Sequence, residues 1–334
     1  MKVLVHFQVN PKNDNFEGAR LRKTIKSALE MNNIRYADSL MDDFDIAHFV
    51  YLESDGVIEE LKERHIPVIV SALYCENDPC AAYLEYKNKN GERSYIVKAK
   101  AIKFLEKADL ILVPNETGKK IIEEAGIKVP IKVCPLGVNF TRFDFSRDDE
   151  KDIFYRYFSC DKDKKVVVSI GNPYLEGLTT MTKIASECKD TNFYYFYKPE
   201  RVRLSKEDKK ILKNLPHNVF VSNLVADDIY RSSLINADVC LLFTYRPVGT
   251  ITISEAMAAK CQLVVREQDL LKEIAIDQKT AYVAKYSETL VDLVKECLDG
   301  QLKPTIGEAY NMIRKNDISV FGKVLEEIYQ SVIK

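Results

Sequence analysis

The chain has 334 residues, 46% of them hydrophobic, and a formal net charge of −1. That length and apolar content can bury a large core and predict two domains. The balanced charge excludes a general attraction to nucleic acid. The eight cysteines and four histidines are scattered without a close pair of metal-ligand spacing, so no metal is expected and the thiols are read as reduced, mostly buried groups.

The opening stretch MKVLVHFQV is short and reads as a strand. Neither end carries a secretory apolar region or an uninterrupted spanning segment, which predicts a cytoplasmic protein, peripheral at most to the inner face of a membrane. Short β-branched runs then alternate with helical patterns, the signature of βα units around parallel sheets. In the first half the runs are 3–9, 46–51, 67–71, 110–113 and 131–134, with helices predicted over 20–31, 56–64, 96–108 and 118–125. NFEGARLRK, after the first strand, supplies a glycine turn and basic residues, including Gly18 and Arg20. The helix YIVKAKAIKFLEKA sets Lys100, Lys103 and Lys107 on one face and Val97, Ala101, Phe104 and Leu105 on another. It is either a core-facing helix with a wet basic side or, over Lys98–Lys107, a surface attracted to anionic lipid.

The rhythm breaks at CPLGVNFTRFDFSRDDEKD, read as the connection between domains. A second series follows, with strands over 166–170, 193–197, 219–221, 239–243 and 262–265 and helices between them, closed by a terminal helix from about Val320. The expected division is residues 1–140, with 320–334 packing back on them, and residues 150–319. Two such halves imply a cleft at the carboxyl ends of their strands, where open α/β sheets bind ligands.

Two glycine turns follow strands in the second half. In the stretch from Phe243 to Val265, a turn at Pro247–Gly249 leads to a helix beginning around Thr252, with Glu255 in its first turns. Glu255 is open to two readings: a carboxylate favoured by the helix dipole, or an acceptor for the vicinal hydroxyls of a ribose. Gly249 permits close backbone approach, and amides at the helix start, around Thr250, could hold phosphate. The other turn, after Ile170, carries Gly171 and Gly177 but offers Asn172 and Glu176 rather than cations. Lys198, Arg201, Arg203, Arg246 and Arg266 follow strand ends and are either solvated surface charges or anion ligands.

Together these elements resemble the retaining GT-B glycosyltransferases of family 4, over nearly the whole chain. PLGVNFTRF is similar to the family's interdomain Pro-x-Gly-Val-Asp…Phe element, with Asn139 in the Asp position. LINADVCLLFTYRPVGTITISEAMAAKCQLVV is similar to its donor-binding core and Glu-x7-Glu motif. The nearest likeness within the family is to bacterial glycosyl-diacylglycerol glycosyltransferases. The resemblance implies an α/β, GT-B fold of two Rossmann-like domains facing across a cleft. It implies transfer of a hexose from a nucleotide sugar to a glycolipid or saccharide hydroxyl, with the nucleotide sugar, UDP-linked, as co-substrate and no further cofactor. Donor contacts would come from Gly171, Asn172, Lys198, Arg246, Gly249, Thr250 and Glu255, with Glu255 on the ribose. Gly18, Arg20 and His48 would lie on the acceptor side.

Three departures cut against that reading. Pro247 stands where the family's first Glu contacts the donor sugar, and Asn172 and Glu176 stand at its phosphate-binding Arg and Lys. The acceptor-side His expected after the third strand is replaced by Ser71, Ala72 and Leu73, although His48 remains. A catalytically degenerate homologue, acting as a regulatory or stabilising partner of an active glycosyltransferase, is therefore the alternative.

Overall fold

A computed structural model describes residues 1–7, 17–52, 55–73, 82–87, 93–144, 148–171, 177–197, 205–223, 225–243 and 250–333. The chain divides into two compact units. The first comprises Met1–Asn139, Gly249–Ile251 and Asn316–Lys334; the second comprises Phe140–Val248 and Thr252–Lys315.

In the first unit, β1 (Lys2–His6), α1 (Glu17–Met31), β2 (Arg35–Ala37), β3 (Ile46–Phe49), α2 (Asp55–Glu63) and β4 (Val68–Ser71) form successive βα steps. An antiparallel hairpin, β5 (Tyr83–Lys87) and β6 (Arg93–Val97), interrupts them before α3 (Ala99–Leu105), β7 (Leu110–Val113), α4 (Glu116–Glu124) and β8 (Ile131–Val133) resume the pattern. The main sheet has order β2-β1-β3-β4-β7-β8, all parallel. Its central strands are buried along their length, as sheets covered on both faces require.

The second unit starts with a 3-10 turn at Phe140–Phe143 and the short helices α5 (Asp148–Lys151) and α6 (Ile153–Phe158). It continues through β9 (Lys165–Ile170), α7 (Gly177–Glu187), β10 (Thr191–Tyr197), α8 (Lys206–Lys213), β11 (Val219–Asn223), α9 (Asp227–Ile235), β12 (Val239–Leu242), α10 (Thr250–Ala258) and β13 (Gln262–Arg266). It ends with β14 (Tyr282–Ala284), α11 (Ser287–Leu298) and α12 (Ile306–Arg314). The parallel order β11-β10-β9-β12-β13-β14 is the doubly wound Rossmann order.

The terminal helix α13 (Ile318–Val332) belongs to the first unit and packs on α1. Asp317 caps it, its carboxylate accepting from Ser319 N at 2.9 Å, so the helix starts two residues before the apolar pattern predicts. Phe321, Leu325, Ile328 and Tyr329 enter the core with Val3, Ile25 and Leu29.

The helix predicted over 96–108 begins instead at Ala99, because Tyr95, Ile96 and Val97 pair with β5. Their aromatic and β-branched side chains suit a pleated strand better than a helix. The charged connection after Asn139 is partly helical, and the three-residue strands β2 and β14 are too short to show a period.

Candidate functional site

In the second unit the strand order reverses between β9 and β12, and their carboxyl ends define the switch point at which such sheets receive ligands. Gly171 follows β9 with φ +131°, a conformation that side-chain-bearing residues rarely adopt, and its N–H returns to Phe196 O at 3.1 Å. The next helix, α7, is anchored by Leu178, Met181 and Ile184, all fully buried. After β12, the chain enters α10 at Thr250, two residues earlier than expected.

Residues Ile251 to Met257 of α10 are buried without a break, so this helix has no wet face. Glu255 is its sixth residue and only 1% exposed. It therefore lies in the second turn, beyond the orphan N–H groups that a capping carboxylate would serve. A carboxylate in such surroundings must be paired. Arg142 Nη1 donates to Oε1 at 3.0 Å, and the Tyr230 hydroxyl donates to Oε2 at 2.7 Å. The helix-cap reading of Glu255 is replaced by a buried ion pair.

Arg142 comes from the 3-10 turn and is itself 15% exposed. Its Nη2 donates to Asp227 Oδ1 at 2.5 Å, and its guanidinium lies 5.6 Å from the Phe143 ring centre. Asp227, Tyr230 and Arg231 stand at i, i+3 and i+4 of α9, which puts them on one face. Arg231 Nε approaches Asp227 Oδ2 at 3.4 Å, and its Nη1 donates to the Arg142 carbonyl at 3.1 Å. Two cations and two carboxylates, Glu255 among them, thus form a balanced cluster. Sequence reading placed Glu255 here but missed Arg142, Asp227, Tyr230 and Arg231; the spacing on α9 was the available signal.

Arg266, read among the strand-end cations as a solvated charge or an anion ligand, is 1% exposed at the end of β13. It donates from Nε to Phe243 O at 2.7 Å, from Nη1 to Lys285 O at 3.3 Å and from Nη2 to Ser287 Oγ at 2.9 Å. Ser287 Oγ also accepts from Thr180 Oγ1 at 3.1 Å. These bonds tie the carboxyl-end connections of β12 and β14 to α7. The solvated reading fails, because a guanidinium's five donors suit this bridging interior role. Asn172, Lys198, Arg246 and Gly249 lie outside the described residues, as do Glu176 and Pro247. Thr250 opens α10.

In the first unit, Gly18 and Arg20 occupy the first turn of α1, which follows the carboxyl end of β1. A Cβ on Gly18 would stand 2.6 Å from the Phe7 ring and 2.7 Å from Tyr51, so this glycine lets two aromatic rings close on the helix. Arg20 is buried, and its carbonyl accepts from Thr24 Oγ1 at 3.1 Å. His48 lies inside β3, within the strand predicted over 46–51, and is 1% exposed. Its Nδ1 shares a hydrogen with the Tyr329 hydroxyl and its Nε2 with Ser71 Oγ, both at 2.8 Å. Burial lowers its pKa from 6.5 to about 4, so the imidazole is neutral at neutral pH. His48 joins β3, β4 and α13 rather than opening toward a ligand.

Along Lys98–Lys107, Lys98 precedes α3, Lys100 and Lys103 are exposed, and Lys107 Nζ pairs with Glu59. Among the described residues no helix is long and apolar enough to cross a membrane, and no group of three or more His, Cys, Asp or Glu side chains is gathered to hold a metal.

Two parallel Rossmann-like sheets, the second with a Gly171 turn and a buried Glu255 helix at its switch point, have the plan of the GT-B fold. The chain is similar to the processive diacylglycerol alpha-glucosyltransferase of Acholeplasma laidlawii, with 22% identity over 315 residues, 92% of each chain. Its fold matches Anabaena HepE in complex with UDP and glucose, with TM-score 0.71, 13% identity, and 99% of this chain and 100% of that one covered. It also matches sucrose-phosphate synthase from Thermosynechococcus elongatus, with TM-score 0.67, 13% identity, and coverage of 97% and 80%. No family model matches the sequence.

Proposed function

We propose that the chain transfers a hexose from a nucleotide sugar, UDP-linked, to a glycolipid or saccharide hydroxyl with retention. The observation that carries this reading is the Rossmann-ordered sheet of the second unit, with α10 and its Glu255 placed directly after the switch-point strand β12. HepE, of the same fold, is a complex with UDP and glucose, and the Acholeplasma relative is a diacylglycerol glucosyltransferase; both support the substrate classes. Glu255 accepts the ribose hydroxyls. Backbone amides at Gly171 and at the start of α10, where Gly249 and Thr250 stand, receive the diphosphate. Asn172, Lys198 and Arg246 complete the donor contacts. The acceptor oxygen bonds to the anomeric carbon as the bond from that carbon to the diphosphate breaks, the acceptor's proton passes to the departing phosphate oxygen, and the donors around the phosphates stabilise the leaving charge. The reading calls for no metal and no cofactor beyond the nucleotide sugar.

On the acceptor side the reading keeps Gly18 and Arg20 at the start of α1. His48 acts through the packing of α13. The protein works in the cytoplasm, peripheral to the inner membrane face, with Lys100 and Lys103 attracted to anionic lipid.

Calorimetric titration with UDP, GDP and their common sugars tests the donor claim, followed by product analysis on vesicles containing diacylglycerol. Binding of UDP and its hexose is expected; binding of none of these ligands overturns the enzymatic reading. The second reading, a degenerate partner of an active glycosyltransferase, is favoured by Pro247, Asn172 and Glu176 standing where the resemblance calls for Glu, Arg and Lys. It predicts that the purified protein alone neither transfers nor hydrolyses donor sugar.

A further inference from the structure

We propose that Arg142 is a positioning residue for nucleotide recognition, holding the Glu255 carboxylate oriented toward the ribose 2′-hydroxyl. The proposal rests on the donor reading above and extends it to a residue outside the Glu-bearing helix. Glu255 sits on a helix buried all round and is 1% exposed, so solvent does little to stabilise its charge there. Arg142 supplies the countercharge through Nη1 at 3.0 Å, and Tyr230 fixes the second oxygen at 2.7 Å.

Arg142 is in turn fixed at two places, by partners that also pair with each other. Asp227 accepts from Nη2, Arg231 donates to the Arg142 carbonyl, and Arg231 pairs with Asp227 from the other side. A planar guanidinium can bridge two carboxylates in this way, whereas a lysine ammonium is a point charge on a flexible stem. The cluster sums to zero charge, so Glu255 is neutralised by groups that are themselves anchored to α9 and the 3-10 turn. Arg142 acts on the substrate only through Glu255.

A purely structural tether would weaken all nucleotides alike, whereas a positioning role is selective for the hydroxyl that Glu255 receives. The test is calorimetric titration of the full chain with UDP and with 2′-deoxy-UDP. Wild type is expected to prefer UDP by roughly tenfold, the scale of one charge-assisted hydrogen bond. In Arg142→Ala that ratio is expected to fall toward one, in Arg142→Lys to be partly restored, and in Tyr230→Phe to fall by a smaller factor. Should Arg142→Ala fail to fold, as judged by circular dichroism, Arg142→Lys and Tyr230→Phe decide the matter. Variants that fold and keep the wild-type ratio overturn the positioning role while leaving the donor reading intact. Wild type that binds UDP without preferring it over the deoxy form overturns the ribose role of Glu255, and Arg142's role with it. Wild type that binds neither nucleotide overturns the donor reading itself.

Discussion

At the scale of single residues, the second unit buries an ion pair between Arg142 and Glu255. Removing one partner from a buried ion pair strands the other, at a cost of about 3–5 kcal/mol, far more than a surface pair is worth. Arg142→Ala leaves Glu255 without its guanidinium and is expected to lower stability by about 3 kcal/mol in urea titration. Lys26→Ala removes a half-buried partner of the exposed Asp38 and should cost under about 1 kcal/mol in the same measurement. Glu255→Gln keeps the shape but removes the charge. It is expected to weaken UDP binding by roughly 1–3 kcal/mol and to lower the melting temperature as well. A fall in melting temperature with unchanged UDP affinity would make Glu255 a structural carboxylate only.

Among the elements, α13 shows most clearly how a terminal segment is bound into its unit. It reaches α1 closely enough that a Cβ on Gly322 would stand 2.4 Å from the Ala28 carbonyl oxygen and 2.0 Å from Asn32 Nδ2. A Cβ on Gly137 would stand 2.2 Å from the Phe321 ring. Gly322→Ala is therefore expected to destabilise by about 1–3 kcal/mol through overpacking, and limited proteolysis should then cut first near α13. The burial of His48 beside Tyr329 of α13 adds a pH dependence. Its folded pKa of about 4 lies below the 6.5 of the free imidazole, so the unfolded chain binds the proton more readily. Stability is fully retained above pH 6.5 and is lost as pH falls toward 4. Near pH 4.5 the loss amounts to about 2.5 kcal/mol. Urea midpoints at about pH 7.5 and 4.5 measure it, and His48→Asn should flatten that part of the difference.

For the whole molecule, the two sheets share a parallel, doubly wound plan but differ in order. The first reverses between β1 and β3 and the second between β9 and β12. On the proposed reading, transfer depends on charge at the second switch point. Glu176→Lys exchanges a negative for a positive charge in the turn that the resemblance assigns to the diphosphate. It is expected to raise or preserve donor affinity, while Arg246→Ala should lower transfer. Donor titration and product analysis on the purified variants separate a compensated site from a retired one. No turnover in wild type, together with no donor binding by Glu176→Lys carrying Pro247→Glu, would leave the protein as a partner of an active enzyme.

The α/β class is legible in the sequence because strands buried on both faces are continuous apolar runs. Val166–Ile170, Phe193–Tyr197 and Val239–Phe243 carry that signal with no help from their neighbours. The place of Glu255 after a strand and a glycine turn is equally local. What the chain order does not disclose are features that depend on pairing across distance. β2 and β14 have three residues each and exist only because a neighbouring strand receives their hydrogen bonds. The β5–β6 hairpin displaces the start of a helix in the same way. Arg142 meets Asp227 and Glu255 across 85 and 113 residues, and His48 meets Tyr329 across 281. Periodicity reports which face of an element is apolar, since burial acts on each segment separately. The partner of a buried charge is chosen only when folded elements bring opposite charges within a few ångströms, so that part of the site is decided by the tertiary structure alone.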